Sequence, residues 1–125
     1  KNMTIGGSTF VGVSTATSTG SFSTGSLVGY AAANNICANQ YAGSHMCQVD
    51  EVITTIETNL SSFSGVTNAW VAEGAPGYTS DSNDCKGWTS GSGAHLGAWW
   101  EFNTTAGGEG FLINCATSQP IACCR

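Results

Sequence analysis

Two cysteines stand side by side in Cys123-Cys124-Arg125, and they constrain this chain more than any other feature. They belong to a set of six in 125 residues. An even cysteine count at this density is rare in a reducing cytosol and usual in small secreted domains stapled by disulfides. Neighbours on a strand point to opposite faces, so Cys123 and Cys124 are expected to reach two different partners. A bond between the two would strain the peptide, because disulfides prefer a wider Cα separation. A zinc site would want close pairs such as C-x2-C with further ligands, and those spacings are missing. The chain is therefore expected to fold around three disulfides in an oxidising, extracellular setting.

Charge narrows the partners. Lys1, Lys86 and Arg125 are the only Lys or Arg residues against eight carboxylates, which leaves a net charge of −5. Nucleic acid, polyanionic glycans and acidic membranes are poor partners for such a surface. Thirty Ser and Thr with 17 Gly make that surface rich in hydroxyls rather than ions. No stretch approaches the ~18 apolar residues of a membrane-spanning helix. No signal peptide is present, so in a secreted protein Lys1 is expected to begin a processed form. Three glycosylation sequons occur, at Asn2, Asn59 and Asn103, and they carry glycans only in a host that modifies them.

Patterning predicts an N-terminal arm over residues 1–25 and a single domain over residues 26–125. The arm is Thr, Ser and Gly with one β-like run from Thr9 to Thr15, in which Phe10, Val11 and Val13 supply the apolar content. Thr17 to Gly25 reads as exposed loop. A first helix fits Ser26 to Tyr41, with Ser26 as N-cap, an Ala31-Ala32-Ala33 run and Gly43 as a stop. Ala33, Cys37 and Tyr41 share its inner face with Tyr30. A second helix fits Val49 to Asn59, with Asp50 and Glu51 favoured by the dipole of its first turn. Its buried stripe is Val52, Ile53, Ile56 and Leu60. Ala69–Ala72, Phe111–Asn114 and Ile121–Cys124 read as strands, and Gly74 to Asp84 as a loop with a Pro76-Gly77 turn. Two helices followed by a run of strands is an α+β pattern, with a small, mostly antiparallel sheet and long loops.

From residue 27 to 124 the order of residues resembles the C-type-lectin-like fold, its endostatin-like branch more than the sugar-binding lectins. The resemblance rests on Ala33-x3-Cys37, on Trp70-Val71-Ala72, on Asp84-Cys85-Lys86-Gly87-Trp88 followed by Gly97-Ala98, and on Cys115-x7-Cys123. It implies nested disulfides, Cys37–Cys123 around Cys85–Cys115, which leaves Cys47 to pair with Cys124. It also implies an extracellular binding module. Neither the Glu-Pro-Asn or Gln-Pro-Asp triplet nor the Trp-Asn-Asp of the sugar-binding members is present, so their calcium-dependent sugar site is not expected. The basic heparin face of endostatin-like domains is likewise out of reach of three cations.

No catalytic residues are expected. His45 and His95 are the only histidines, and no Gly-x-Ser-x-Gly elbow supports a nucleophilic serine. His45 reads as a structural residue near Cys47, and His95 as part of a Gly-rich surface loop. Asp81, Asn83 and Asp84 offer the hard oxygens calcium prefers, so calcium is the one candidate cofactor; the alternative is that they cap their own loop. Trp70 and Trp88 read as core. Trp99 and Trp100 are adjacent, so one is expected inside and the other exposed, suited to a sugar ring or a protein interface.

These readings converge on a secreted, non-catalytic binding or adhesion module for a neutral glycan or a protein surface. Its expected site is the long-loop face: Asp81, Asn83, Asp84, Trp88, Trp99, Trp100 and Glu101. The alternative is a structural subunit of an extracellular filament or sheath, in which Phe10, Val11 and Val13 add a strand to a neighbouring copy instead of completing the sheet of their own domain.

Overall fold

Strand β8, Ala122–Cys124, divides the interior of the molecule in two. Cys123 points into one buried cluster with Trp70, Trp88 and Ile121, and Cys124 into another with Phe10, Val52 and Phe63. This is the opposite-face consequence of strand pleating. Cys123 bonds Cys37, Cys124 bonds Cys47, and Cys85 bonds Cys115, so all six cysteines are paired.

The computed structural model describes residues 8–73 and 84–125 and is α+β. β1 (Phe10–Val13) and β4 (His45–Met46) flank β8 in one antiparallel sheet. β5 (Asn68–Trp70), β6 (Leu96–Glu101) and β7 (Glu109–Asn114) form a second, in that order. The two meet where the Trp70 N–H donates to the Pro120 carbonyl at 2.9 Å. A small hairpin, β2 (Ser23–Thr24) and β3 (Leu27–Val28), precedes the first helix. No helix among the described residues is long and apolar enough to cross a membrane.

Helix α1, Gly29–Gln40, starts later than the Ser26 cap implies. Ser26 sits instead in the two-residue turn of the β2–β3 hairpin, where Gly25 supplies a φ of +59°. Small residues on its inner face, Ala32, Ala33 and Cys37, bring α1 close to β8. Helix α2, Val49–Thr58, carries Asp50 and Glu51 in its first turn, and the Glu51 carboxylate accepts the Gln48 N–H at 2.8 Å. Val52 and Thr55 are its buried residues. Ile53 is not part of the buried stripe; it is 44% exposed. Successive helical residues are about 100° apart, so Val52 and Ile53 cannot both face the core.

The N-terminal segment is not an arm over the residues described. Residues 8–25 belong to the fold: β1 pairs with β8 of the same chain, and Phe10 packs between Phe63 and Phe102 at ring distances of 5.2 and 5.1 Å. Val11 and Val13 are half-buried against the two clusters. Beyond β1, Ser18 bridges Gln119, Ser21 bridges Thr89, and Phe22 stacks on Trp88 at 4.9 Å. Thr17 to Gly25 therefore is not simply exposed loop. Its polar composition concealed this, because backbone bonds and one aromatic ring do the anchoring.

Candidate binding groove

Asp84–Trp88 forms a left-handed turn, with φ of +48° to +71° across all five residues. Left-handed backbone costs roughly 1–2 kcal/mol per L-residue, so tertiary contacts must impose it. The Cys85–Cys115 bond and the fully buried Trp88 ring are those contacts. The turn drives the Asp84 carboxylate inside, where it is 1% exposed. There it accepts the Tyr30 hydroxyl at 2.8 Å and the Glu73 N–H at 3.1 and 3.2 Å. Burial, then the bond to Asp84 and its charge, hold the Tyr30 hydroxyl far above the usual tyrosine range. Burial and the Asp84 charge also raise the Glu73 carboxyl.

Across the molecule, the β6–β7 hairpin places Trp99 and Trp100 on opposite faces. Trp99 packs with the Trp70 and Trp88 cluster, and Trp100 with the Phe10 and Phe63 cluster. Both rings are half-buried, where one inside and one outside was expected. The sheet is covered on both sides, so each ring finds a core. Trp100 is further fixed by donating its indole N–H to the Gly107 carbonyl at 2.9 Å. That loop is held by Asn103 Oδ1, which accepts the N–H groups of Thr105, Ala106 and Gly107 at 3.0 to 3.1 Å.

Between α2 and this sheet lies a groove of about 230 Å³, lined by Val49, Val71, Ala98, Trp100 and Leu112, with Glu73 beside them. A wider depression of about 630 Å³ shares Val49 and Glu73 with it and continues to Ile53, Tyr30, Asp50 and Asp84. Five large hydrophobic side chains are exposed among the described residues, and three of them, Ile53, Phe111 and Leu112, line these two cavities. Exposed apolar groups gathered at a concave site mark contact surfaces more than scattered ones do.

The sequence-predicted site residues divide accordingly. Trp99 and Trp100 line the groove. Trp88 does not reach any ligand surface: it is fully buried, stacked on Phe22 and edge-on to Trp70. Glu101 is exposed, in register with Glu109 on β7, and is not part of the groove lining. Asp84 is committed to Tyr30 and the Glu73 N–H. Asp81 and Asn83 lie outside the described residues, as do the Pro76-Gly77 turn and the Asn2 sequon. Among the described residues no three His, Cys, Asp or Glu side chains gather as a cation site. Asn59 and Asn103 are exposed. His45 meets Glu51 at 2.7 Å, and His95 Nδ1 meets Ser90 Oγ at 2.9 Å; the Ser92 N–H also donates to that hydroxyl at 3.1 Å, so the pair closes a local turn.

Sequence reasoning missed Phe111, Leu112, Ile53 and Glu73. One signal was available: Phe111-Leu112-Ile113 is apolar on both strand faces, where an antiparallel strand with one solvated face would alternate apolar and polar. No family model matches the chain, and no curated protein or solved structure does.

Proposed function

We propose that this protein is a secreted, non-catalytic binding module on a C-type-lectin-like scaffold, and that the Trp100–Leu112 groove holds its ligand. The observation that carries this reading is that three exposed hydrophobic residues, Ile53, Phe111 and Leu112, line two adjoining cavities that share Val49 and Glu73. The scaffold assignment is supported by the nested Cys37–Cys123 and Cys85–Cys115 bonds and by two helices preceding the larger sheet. Secretion is supported by three disulfides in so small a domain. The ligand classes that suit a hydroxyl-rich, weakly charged surface with aromatic walls are a neutral glycan and a polypeptide. Screening the protein against immobilised oligosaccharides and peptides tests the reading. A hit abolished by Leu112→Asp supports it; hydrolytic turnover of any hit removes the non-catalytic part.

Self-assembly into a filament is the second reading. The edge of β7 favours it: among the described residues β7 pairs on one side only, and such an edge can accept another chain. Strand β1 pairs with β8 of its own chain, so it does not stand as a free arm for a neighbouring copy. Light scattering of the native protein across concentration decides it.

A further inference from the structure

Among the described residues β7 pairs only with β6. Their ladder continues into the bond from the Cys115 N–H to the His95 carbonyl, 3.0 Å. Bonded and non-bonded pairs alternate in an antiparallel ladder, so Ile113, Phe111 and Glu109 turn their backbone groups toward β6. Gly110 and Leu112 turn theirs to the open edge.

Two side-chain rows cross the same face of the sheet and end at that edge. One is Trp70, Trp99 and Phe111; the next is Asn68, Glu101 and Glu109. The first is apolar. The second sets two exposed carboxylates directly opposite each other, an arrangement that destabilises a sheet. Neither has an ion-pair partner among the described residues. A cation in the next strand position would relieve both.

We infer that β7 accepts an extended segment of another protein as an added strand. That segment carries Lys or Arg beside Glu109 and, two residues away, an apolar or aromatic side chain beside Phe111. The residue between them falls on the opposite face, beside Gly110 and Leu112 at the groove. Main-chain bonds to the edge supply affinity in such strand addition, and alternate side chains supply specificity. A second copy of this chain is a poor donor, because among the described residues no strand contains Lys or Arg. This inference rests on the proposed binding role of the groove and names its ligand class.

The probe is a synthetic peptide, Ser-Lys-Val-Phe-Val-Ser, titrated into the ¹⁵N-labelled protein. Amide shifts confined to the Glu109–Asn114 strand and its groove are expected. Two versions of the peptide, N-methylated on alternate residues, are expected to differ: one binds and one does not. Glu109→Gln is expected to weaken the peptide roughly two- to fivefold, as for one exposed charge contact, and to reduce its salt dependence. Equal binding by both methylated peptides, or by a norleucine-for-lysine peptide, would overturn the inference. So would broadening of the same amides by raising the concentration of the protein alone, which would make the edge a homotypic interface. If neutral oligosaccharides shift these amides and the peptide does not, the binding role stands and the strand partner falls. If no probe shifts them, both fall.

Discussion

Asp84 is the residue at which burial, backbone and charge meet, and its contacts with Tyr30 and Glu73 make it testable. Tyr30→Phe deletes a hydrogen bond to a buried carboxylate, which is expected to cost about 1.5–3 kcal/mol. The pH dependence has a definite sign. Because the native Tyr30 holds its proton more tightly than an unfolded tyrosine, its contribution is complete below about pH 10. It declines as pH rises beyond that, since the unfolded chain then binds fewer protons than the native one. The phenylalanine variant, though less stable at neutral pH, should show a shallower alkaline loss in a denaturant melt. Glu73 obeys the same rule at the acid end. Its raised carboxyl makes stability fall as pH rises through the carboxylate range, so Glu73→Gln should raise the melting midpoint at neutral pH. That gain should vanish below about pH 4, where both states of the wild type are protonated. A gain that persists in acid would place its cause elsewhere than in the burial of the Glu73 carboxyl and the Asp84 charge. None of this was legible in the sequence. Asp84 read as a loop-end calcium ligand or self-cap, and nothing local connects it to Tyr30, 54 positions away.

At the scale of elements, the helices were the legible part. Ala-rich spacing located α1, and the acidic first turn located α2. Their faces were less legible, because Val52 and Ile53 look alike until one is placed against Phe10 and the other against solvent. β1 was legible as a strand able to complete its own domain's sheet, but the burial of Phe10 in the core was not. Phe10 is its only fully buried side chain; Ser14 completes the join by accepting the Ile121 N–H through its hydroxyl, at 2.9 Å. Phe10→Ala is therefore expected to cost about 3–5 kcal/mol. A version lacking residues 1–20 should lose its cooperative thermal transition, rather than merely lose a capacity to assemble. An unchanged melting midpoint after truncation would contradict the integration of β1. The left-handed turn had no local signal, since only Gly87 in Asp84–Trp88 favours positive φ. Its conformation is a product of the Cys85–Cys115 bond and the burial of Trp88.

At the scale of the whole molecule, β8 and its adjacent cysteines tie two cores together. The Cys37–Cys123 and Cys47–Cys124 bonds span 86 and 77 residues, and Cys85–Cys115 spans 30. In the chain-entropy model closures of that length contribute about 4–5 kcal/mol for the longer pair and nearer 3–4 for the shorter. Such a frame tolerates an open edge and exposed apolar side chains that a small unstapled domain would find harder to carry. The pairing was legible through the family resemblance, and the separation of Cys123 from Cys124 through pleating alone. The groove was not, because it depends on which strand of the second sheet ends at the edge. Among the described residues the large exposed hydrophobics fall in two places, the groove with its adjoining depression (Ile53, Phe111, Leu112) and the β2–β3 hairpin (Leu27, Val28). The most direct test of the account compares Leu112→Asp with Val28→Asp for binding of the same captured ligand, at matched melting midpoints. The groove account predicts at least a roughly tenfold loss for Leu112→Asp, equivalent to about 1.4 kcal/mol, and no change for Val28→Asp. Binding that survives at Leu112 and is lost at Val28 would contradict it.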